Sequence, residues 1–174
     1  MEITRDIIPE GNVNRPGARN SCRYITVHET ANAKRGADAC AHAGYVKKLR
    51  ERTSWHYTVD DHSVYQHLPD EEKSYHTSSA TANENSIAIE LCVNADGDFR
   101  KTVDNAVWLV RQLMKKHGIS AEYVRTHKEW TGKQCPATLL SGGWKEFVTR
   151  ISAEEKKSIT VSELRAMGYS EIKL

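Results

Sequence analysis

Ser86-Ile87-Ala88-Ile89-Glu90-Leu91-Cys92-Val93 is the stretch on which the fold turns. Ile87, Ile89, Leu91 and Val93 recur with the period of two that places them on one side of an extended strand, and Glu90 projects from the other. A flanked, apolar strand with one carboxylate in its middle is locally inconsistent, and such inconsistencies collect at functional sites. The turn Asn94-Ala95-Asp96-Gly97-Asp98 ends the strand.

Outward from there, Cys22-Arg23-Tyr24-Ile25-Thr26-Val27-His28 alternates in the same way, with Ile25 and Val27 on one face and Tyr24, Thr26 and His28 on the other. The chain before it reads as irregular, with a turn signal at Asn14-Arg15-Pro16-Gly17. Asp38 is a plausible N-cap for a helix to about Arg50, in which Ala39, Ala43, Val46 and Leu49 line one face. Residues 55–59 and 64–68 read as a hairpin closed by Asp60-Asp61-His62-Ser63, and residues 69–85 as a long polar loop. Val103, Ala106, Val107, Val110, Leu113, Met114 and His117 follow helical spacing up to a stop at Gly118. Residues 123–127 form a short strand ending at His127, and Trp144, Phe147, Val148 and Ile151 mark a last helix.

Strands alternating with helices predict a single α/β domain, a central mixed β-sheet flanked by α-helices, over residues 1–152. Residues 153–174 read as a linker or short C-terminal helix, or as the start of a truncated module.

The 174 residues are 39% hydrophobic and 28% charged, which fits one sizeable core. A net charge of +2, with no basic cluster interleaved with aromatics, argues against nucleic acid. No run approaches the roughly 18 to 20 apolar residues that span a bilayer, so no membrane insertion is expected. The start, Met1-Glu2-Ile3-Thr4-Arg5-Asp6, has no signal-peptide pattern, so the expectation is synthesis in the cytoplasm without an export address. The four cysteines lack CxxC spacing and read as reduced thiols, with Cys22, Cys40 and Cys92 as small packing residues.

His28 and His127 each end a strand-like run and Cys135 sits in a polar loop just before Pro136, and the three look like one zinc site. Two imidazoles and one thiolate make a tetrahedral zinc site whose fourth position is left for water, as catalytic zinc requires; structural zinc usually recruits a fourth protein ligand. Glu90 and Lys133 would supply the acid/base and electrostatic groups for hydrolysis at such a site.

The blocks Ile25-Thr26-Val27-His28-Glu29-Thr30, Ser54-Trp55-His56-Tyr57, Ser86-Ile87-Ala88-Ile89-Glu90-Leu91 and Thr126-His127-Lys128-Glu129-Trp130, followed by Lys133-Gln134-Cys135-Pro136, resemble the zinc-dependent N-acetylmuramoyl-L-alanine amidases of type 2, with their peptidoglycan recognition protein-like fold. The likeness spans about residues 20 to 150 and is nearest to endolysin catalytic domains from phages or prophages of Gram-positive bacteria and to Bacillus autolysins. It implies cleavage of the amide between N-acetylmuramic acid and L-alanine in peptidoglycan, at the bacterial cell wall. It implies His28, His127 and Cys135 as Zn2+ ligands, with Glu90 and Lys133 catalytic. His76 and Trp130 are candidate substrate contacts, and a monomer is expected.

Rival readings diverge at single residues. A module of the same fold that binds peptidoglycan without cutting it would commonly lack the cysteine ligand, which here is present. A zinc endopeptidase would carry HExxH, whereas His28-Glu29-Thr30-Ala31-Asn32 has no second histidine. His56 reads as packed and hydrogen-bonded, and His42, His62, His67 and His117 as surface or helix-face residues.

Overall fold

The computed structural model describes residues 1–48 and 51–153. Six strands, β1 (Ile3–Arg5), β2 (Tyr24–Glu29), β3 (Tyr57–Val59), β4 (Val64–Gln66), β5 (Ser86–Leu91) and β6 (Val124–Thr126), form one sheet in the order β1-β4-β3-β5-β2-β6. Only the β3–β4 hairpin is antiparallel; every other neighbouring pair is parallel, so the sheet is mixed as expected. Five α-helices, α1 (Ala39–Lys48), α2 (Ala80–Asn85), α3 (Phe99–His117), α4 (His127–Thr131) and α5 (Trp144–Ser152), with a 3-10 turn at Ala121–Tyr123 and a π turn at Leu139–Gly143, complete the described part.

Alternation in β2 and β5 sorts the two faces of the sheet. Ile25, Val27, Ile87, Ile89 and Leu91 join Ala106, Leu109, Val110 and Leu113 of α3 and Phe147 and Ile151 of α5 in the main core. On the opposite face Ala88 packs with Val46 of α1, Ile8, Trp55 and Leu68 in a smaller core. Asp98 caps α3 by accepting from the N–H groups of Arg100 and Lys101, and Gly118 ends it in the left-handed conformation at φ 64°. Leu109 is fully buried, so Leu109→Ala is expected to cost about 2–5 kcal/mol. Urea unfolding measures it; a midpoint equal to that of the unsubstituted protein would contradict this packing.

Several expectations need correction. The start of the chain is not wholly irregular, because Ile3, Thr4 and Arg5 pair in parallel with Val64, Tyr65 and Gln66. Residues 69–85 end in α2, whose cap is the Ser79 side chain accepting from the Ala82 N–H. His127 opens a helix rather than closing a strand. Thr126-His127-Lys128-Glu129 is a capping box, with Thr126 Oγ1 and the Glu129 carboxylate each satisfying the other's backbone N–H. Cys40 is exposed, unlike the buried Cys22 and Cys92, and all four cysteines are free. His67 is not a surface residue but fully buried, with Nε2 at 2.8 Å from Thr58 Oγ1. His56 is buried, its Nδ1 accepting from the Ala88 N–H. Leu49 and Arg50 lie outside the described residues, as does the tail from residue 154.

Candidate active site

The parallel registers bring the site together. β2 sets His28 opposite Glu90 of β5, and β3 sets Thr58 opposite Glu90 on its other side. His28 and Glu90 share the face of Ala88, the α1 side of the sheet, at the C-terminal ends of parallel strands, where open α/β sheets commonly bind ligands. β2 also pairs Val27 with Thr126, so His127, the next residue after β6, arrives beside His28. The capping box fixes where α4 begins and hence where that ring stands.

Cys135 is returned to the same point by two ties. The Lys128 N–H donates to the Cys135 carbonyl at 3.1 Å, and the buried Glu29 carboxylate accepts from the N–H groups of Thr138 and Leu139 at 2.9 and 3.0 Å. Glu29 thus anchors the segment that carries the thiol from the position next to His28.

The result is a cluster of His28, His127 and Cys135, all buried, whose ligand atoms lie within 4.8 Å of one another. His28 Nδ1 stands 3.0 Å from His127 Nδ1 and 3.8 Å from Cys135 Sγ. Tetrahedral bonds of the lengths zinc makes to nitrogen and sulfur would separate these atoms by about 3.3 and 3.5 Å. The donor set and its spacing therefore fit a metal ion of that size, bound through Nδ1 of both imidazoles.

Burial sets the charges. It holds His28 well below the usual imidazole range, with repulsion from His76, His127 and Lys133 adding to it, and it lowers His127 in the same way with help from Lys133. Both rings are therefore neutral, the state a metal requires. Burial pushes the Cys135 thiol up to about 11 and the Glu90 carboxyl up to about 8, with Lys133 pulling both back down. Lys133 is itself exposed, yet its ammonium acts on all four of these groups. Glu90 Oε2 is buried with no hydrogen-bond partner among the described residues, and so is Thr30 Oγ1.

Glu90 and Thr30 both line a cleft of about 630 Å³ whose other walls include Asn32, Arg35, Tyr45 and Trp55. Two residues that line one cleft and each hold an unpartnered polar oxygen mark where polar atoms of a ligand would be received. Sequence reasoning missed Thr30; its position two residues after His28, at the end of a strand, was the available signal. The structure brings His28, His127, Cys135, Glu90 and the charge of Lys133 together. His76 does not line the cleft; its Nδ1 lies 2.9 Å from His28 Nε2. Trp130 likewise stands off the cleft, its indole N–H donating to Thr26 Oγ1 at 2.9 Å and its ring edge-on to Tyr24.

A family model described as N-acetylmuramoyl-L-alanine amidase matches residues 18–138. The chain is 49% identical over 177 residues to the N-acetylmuramoyl-L-alanine amidase CwlH of Bacillus subtilis, a match covering all of this chain and 70% of the relative. It is 47% identical over 165 residues to XlyA of the same organism, covering 94% of this chain and 55% of XlyA. Among solved structures, the catalytic domain of XlyA superposes with a TM-score of 0.84 at 50% identity, covering 87% of this chain and 99% of that domain. PlyL superposes with a TM-score of 0.81 at 31% identity, covering 88% and 98%.

Proposed function

The chain belongs to the N-acetylmuramoyl-L-alanine amidase family, and on that premise we propose that it is a zinc hydrolase of peptidoglycan, cutting the amide between the lactyl group of N-acetylmuramic acid and the L-alanine of the stem peptide. One observation carries the reading: a set of three candidate metal ligands stands beside Glu90, a half-buried residue lining an open cleft, whose Oε2 is buried with no hydrogen-bond partner among the described residues. A carboxylate with only a structural role would be satisfied within the fold.

Bound zinc in such a site acidifies water and polarises a carbonyl oxygen. Glu90 takes the proton from the attacking water and hands it to the departing amine. Burial raises the Glu90 carboxyl above the usual carboxylate range, which makes it a stronger base toward that proton than an exposed carboxylate. Lys133 places its positive charge beside the developing oxyanion. The Thr30 hydroxyl, which has no partner among the described residues, offers the substrate amide a hydrogen bond.

Mass spectrometry of digested peptidoglycan, with and without chelator, tests the reading. Intact stem peptides with free L-alanine amino termini are expected, and only without chelator. New ends within the peptide or the glycan would reject it, and binding without any cleavage would make the chain a recognition module.

Metal affinity should depend on pH with a definite sign. The histidines are already neutral, but the Cys135 thiol must lose a proton to bind, since burial holds it at about 11. Zinc binding therefore releases at least the Cys135 proton, and affinity falls by about tenfold or more for each unit of acidification between pH 8 and 6. Isothermal titration in buffers of different ionisation enthalpy counts that proton; a count of zero would exclude the thiolate as a ligand.

A further inference from the structure

His28 presents Nδ1 to the ligand cluster, so the opposite nitrogen, Nε2, carries its single N–H whenever Nδ1 binds a metal. That N–H points at His76 Nδ1, 2.9 Å away, with the two rings edge-on at 87°. His76 must then accept, which puts its own N–H on Nε2, and that atom lies 3.3 Å from the Ala82 carbonyl. The chain of donors ends on a backbone acceptor that cannot reverse.

We infer that His76 is a positioning residue for the metal: it locks His28 in the tautomer whose Nδ1 lone pair is free to ligate. The inference rests on the zinc reading given above, and it extends to the segment that supplies the lock. The backbone around His76 is clamped by Asn83, whose Oδ1 accepts from the N–H groups of both His76 and Thr77 at 3.1 and 3.0 Å and whose Nδ2 donates to the Thr77 carbonyl at 3.0 Å. Asn83 and the accepting Ala82 belong to α2, and both are buried. This short helix thus holds both the backbone and the ring of His76.

A ligating histidine usually passes its second N–H directly to a carboxylate, a carbonyl or water. Here a second imidazole is interposed, so the acceptor that orients His28 is itself orientable. If His76 turned its N–H toward His28, Nε2 of His28 would have to accept and its proton would move to Nδ1, closing the ligand site. The Ala82 carbonyl is what holds that alternative off.

Two measurements test this without substrate. Long-range 1H–15N correlation spectra of the metal-free protein at neutral pH report which nitrogen of His28 is protonated; Nε2–H is expected, and Nδ1–H would overturn the inference. Zinc dissociation constants from competition with a chromophoric chelator then compare His76→Leu, which has no acceptor, with His76→Asn, which keeps an acceptor oxygen at the position of Nδ1. His76→Leu should weaken zinc by about tenfold to a hundredfold while the metal-free protein melts as before, and His76→Asn should recover most of that loss. Unchanged zinc binding in His76→Leu, or equal weakening in both variants, would overturn it. Were the leucine variant to fail to fold, the tautomer of His28 in the unsubstituted protein still decides the matter. Failure of the unsubstituted protein to bind zinc would instead remove the zinc reading, and this inference with it.

Discussion

Cys135→Ser should lose zinc and amidase activity together, by more than about a hundredfold in turnover. Serine is close in volume, and Cys135 is only 7% exposed, so the fold should absorb the change. The chemistry does not. A ligating thiolate is a charged, soft donor, whereas a serine hydroxyl stays protonated near neutrality and leaves a dication with two neutral imidazoles. The Lewis acidity then lost is worth several kcal/mol of barrier, and each 1.36 kcal/mol is a factor of ten. Zinc content after dialysis and release of stem peptides are the two readouts. A serine variant that kept both would detach Cys135 from the centre and leave the reading as a hydrolase without its anion.

Glu90→Gln should separate chemistry from metal binding. Glutamine keeps the shape but can neither take nor return a proton, so turnover should fall by about a hundredfold to ten-thousandfold with zinc retained. The same variant should be more stable than the parent when metal-free, and the sign follows from protonation. The Glu90 carboxyl is raised from 4.5 to about 8 by burial, so between those values folding takes up a proton. Below about 4.5 the group is protonated in both states and contributes nothing; as pH rises toward 8 the folded state loses stability, by at most about 1.4 kcal/mol per unit; above 8 the loss is constant. The advantage of Glu90→Gln should therefore be small at pH 5 and largest at pH 8 and beyond. Thermal melts of both metal-free proteins across that range measure it, and a constant difference would mean that Glu90 is not held protonated by its surroundings.

The parts of this molecule that were legible in the sequence are those where burial acts on a periodic element. The alternation in β5 and β2 and most of the α3 stripe hold, because each faces one continuous core, although Val93 falls beyond β5, His117 pairs with Asp70 instead, and Leu109 joins the core unforeseen. β1 was not legible: its three residues pair at a sheet edge and only Ile3 packs against the core, so no alternation can accumulate. α2 escaped for a similar reason, since Ala-Thr-Ala-Asn-Glu-Asn has no apolar stripe and is held by the Ser79 cap and by Asn83 side-chain bonds. The three proposed ligands and Glu90 could be named because they occur together inside the blocks that resemble the amidase family, and Glu90 also because it interrupts an apolar strand. His76 could be noticed but not understood. Its role depends on a ring 48 residues away, and nothing in the local pattern around Tyr75-His76-Thr77 records that distance. The place of His127 was the opposite case: the capping signature Thr126-His127-Lys128-Glu129 lay in plain view and was overridden by the short apolar run before it.

The ligands come from widely separated points of the chain, with His28 lying 99 residues before His127 and 107 before Cys135. An ion held by all of them is therefore also a cross-link, and it closes most of the chain into a ring. In the unfolded state that ring would have to be held together at a cost that grows with the logarithm of its length, so the ion favours the folded chain almost exclusively. In the zinc reading, the proposed catalytic centre is thus also a fastening. A chelator would then do more than stop turnover, since it would untie the edge strand β6, α4 and the Cys135 segment from β2, and the protein would lose heat resistance along with its ion.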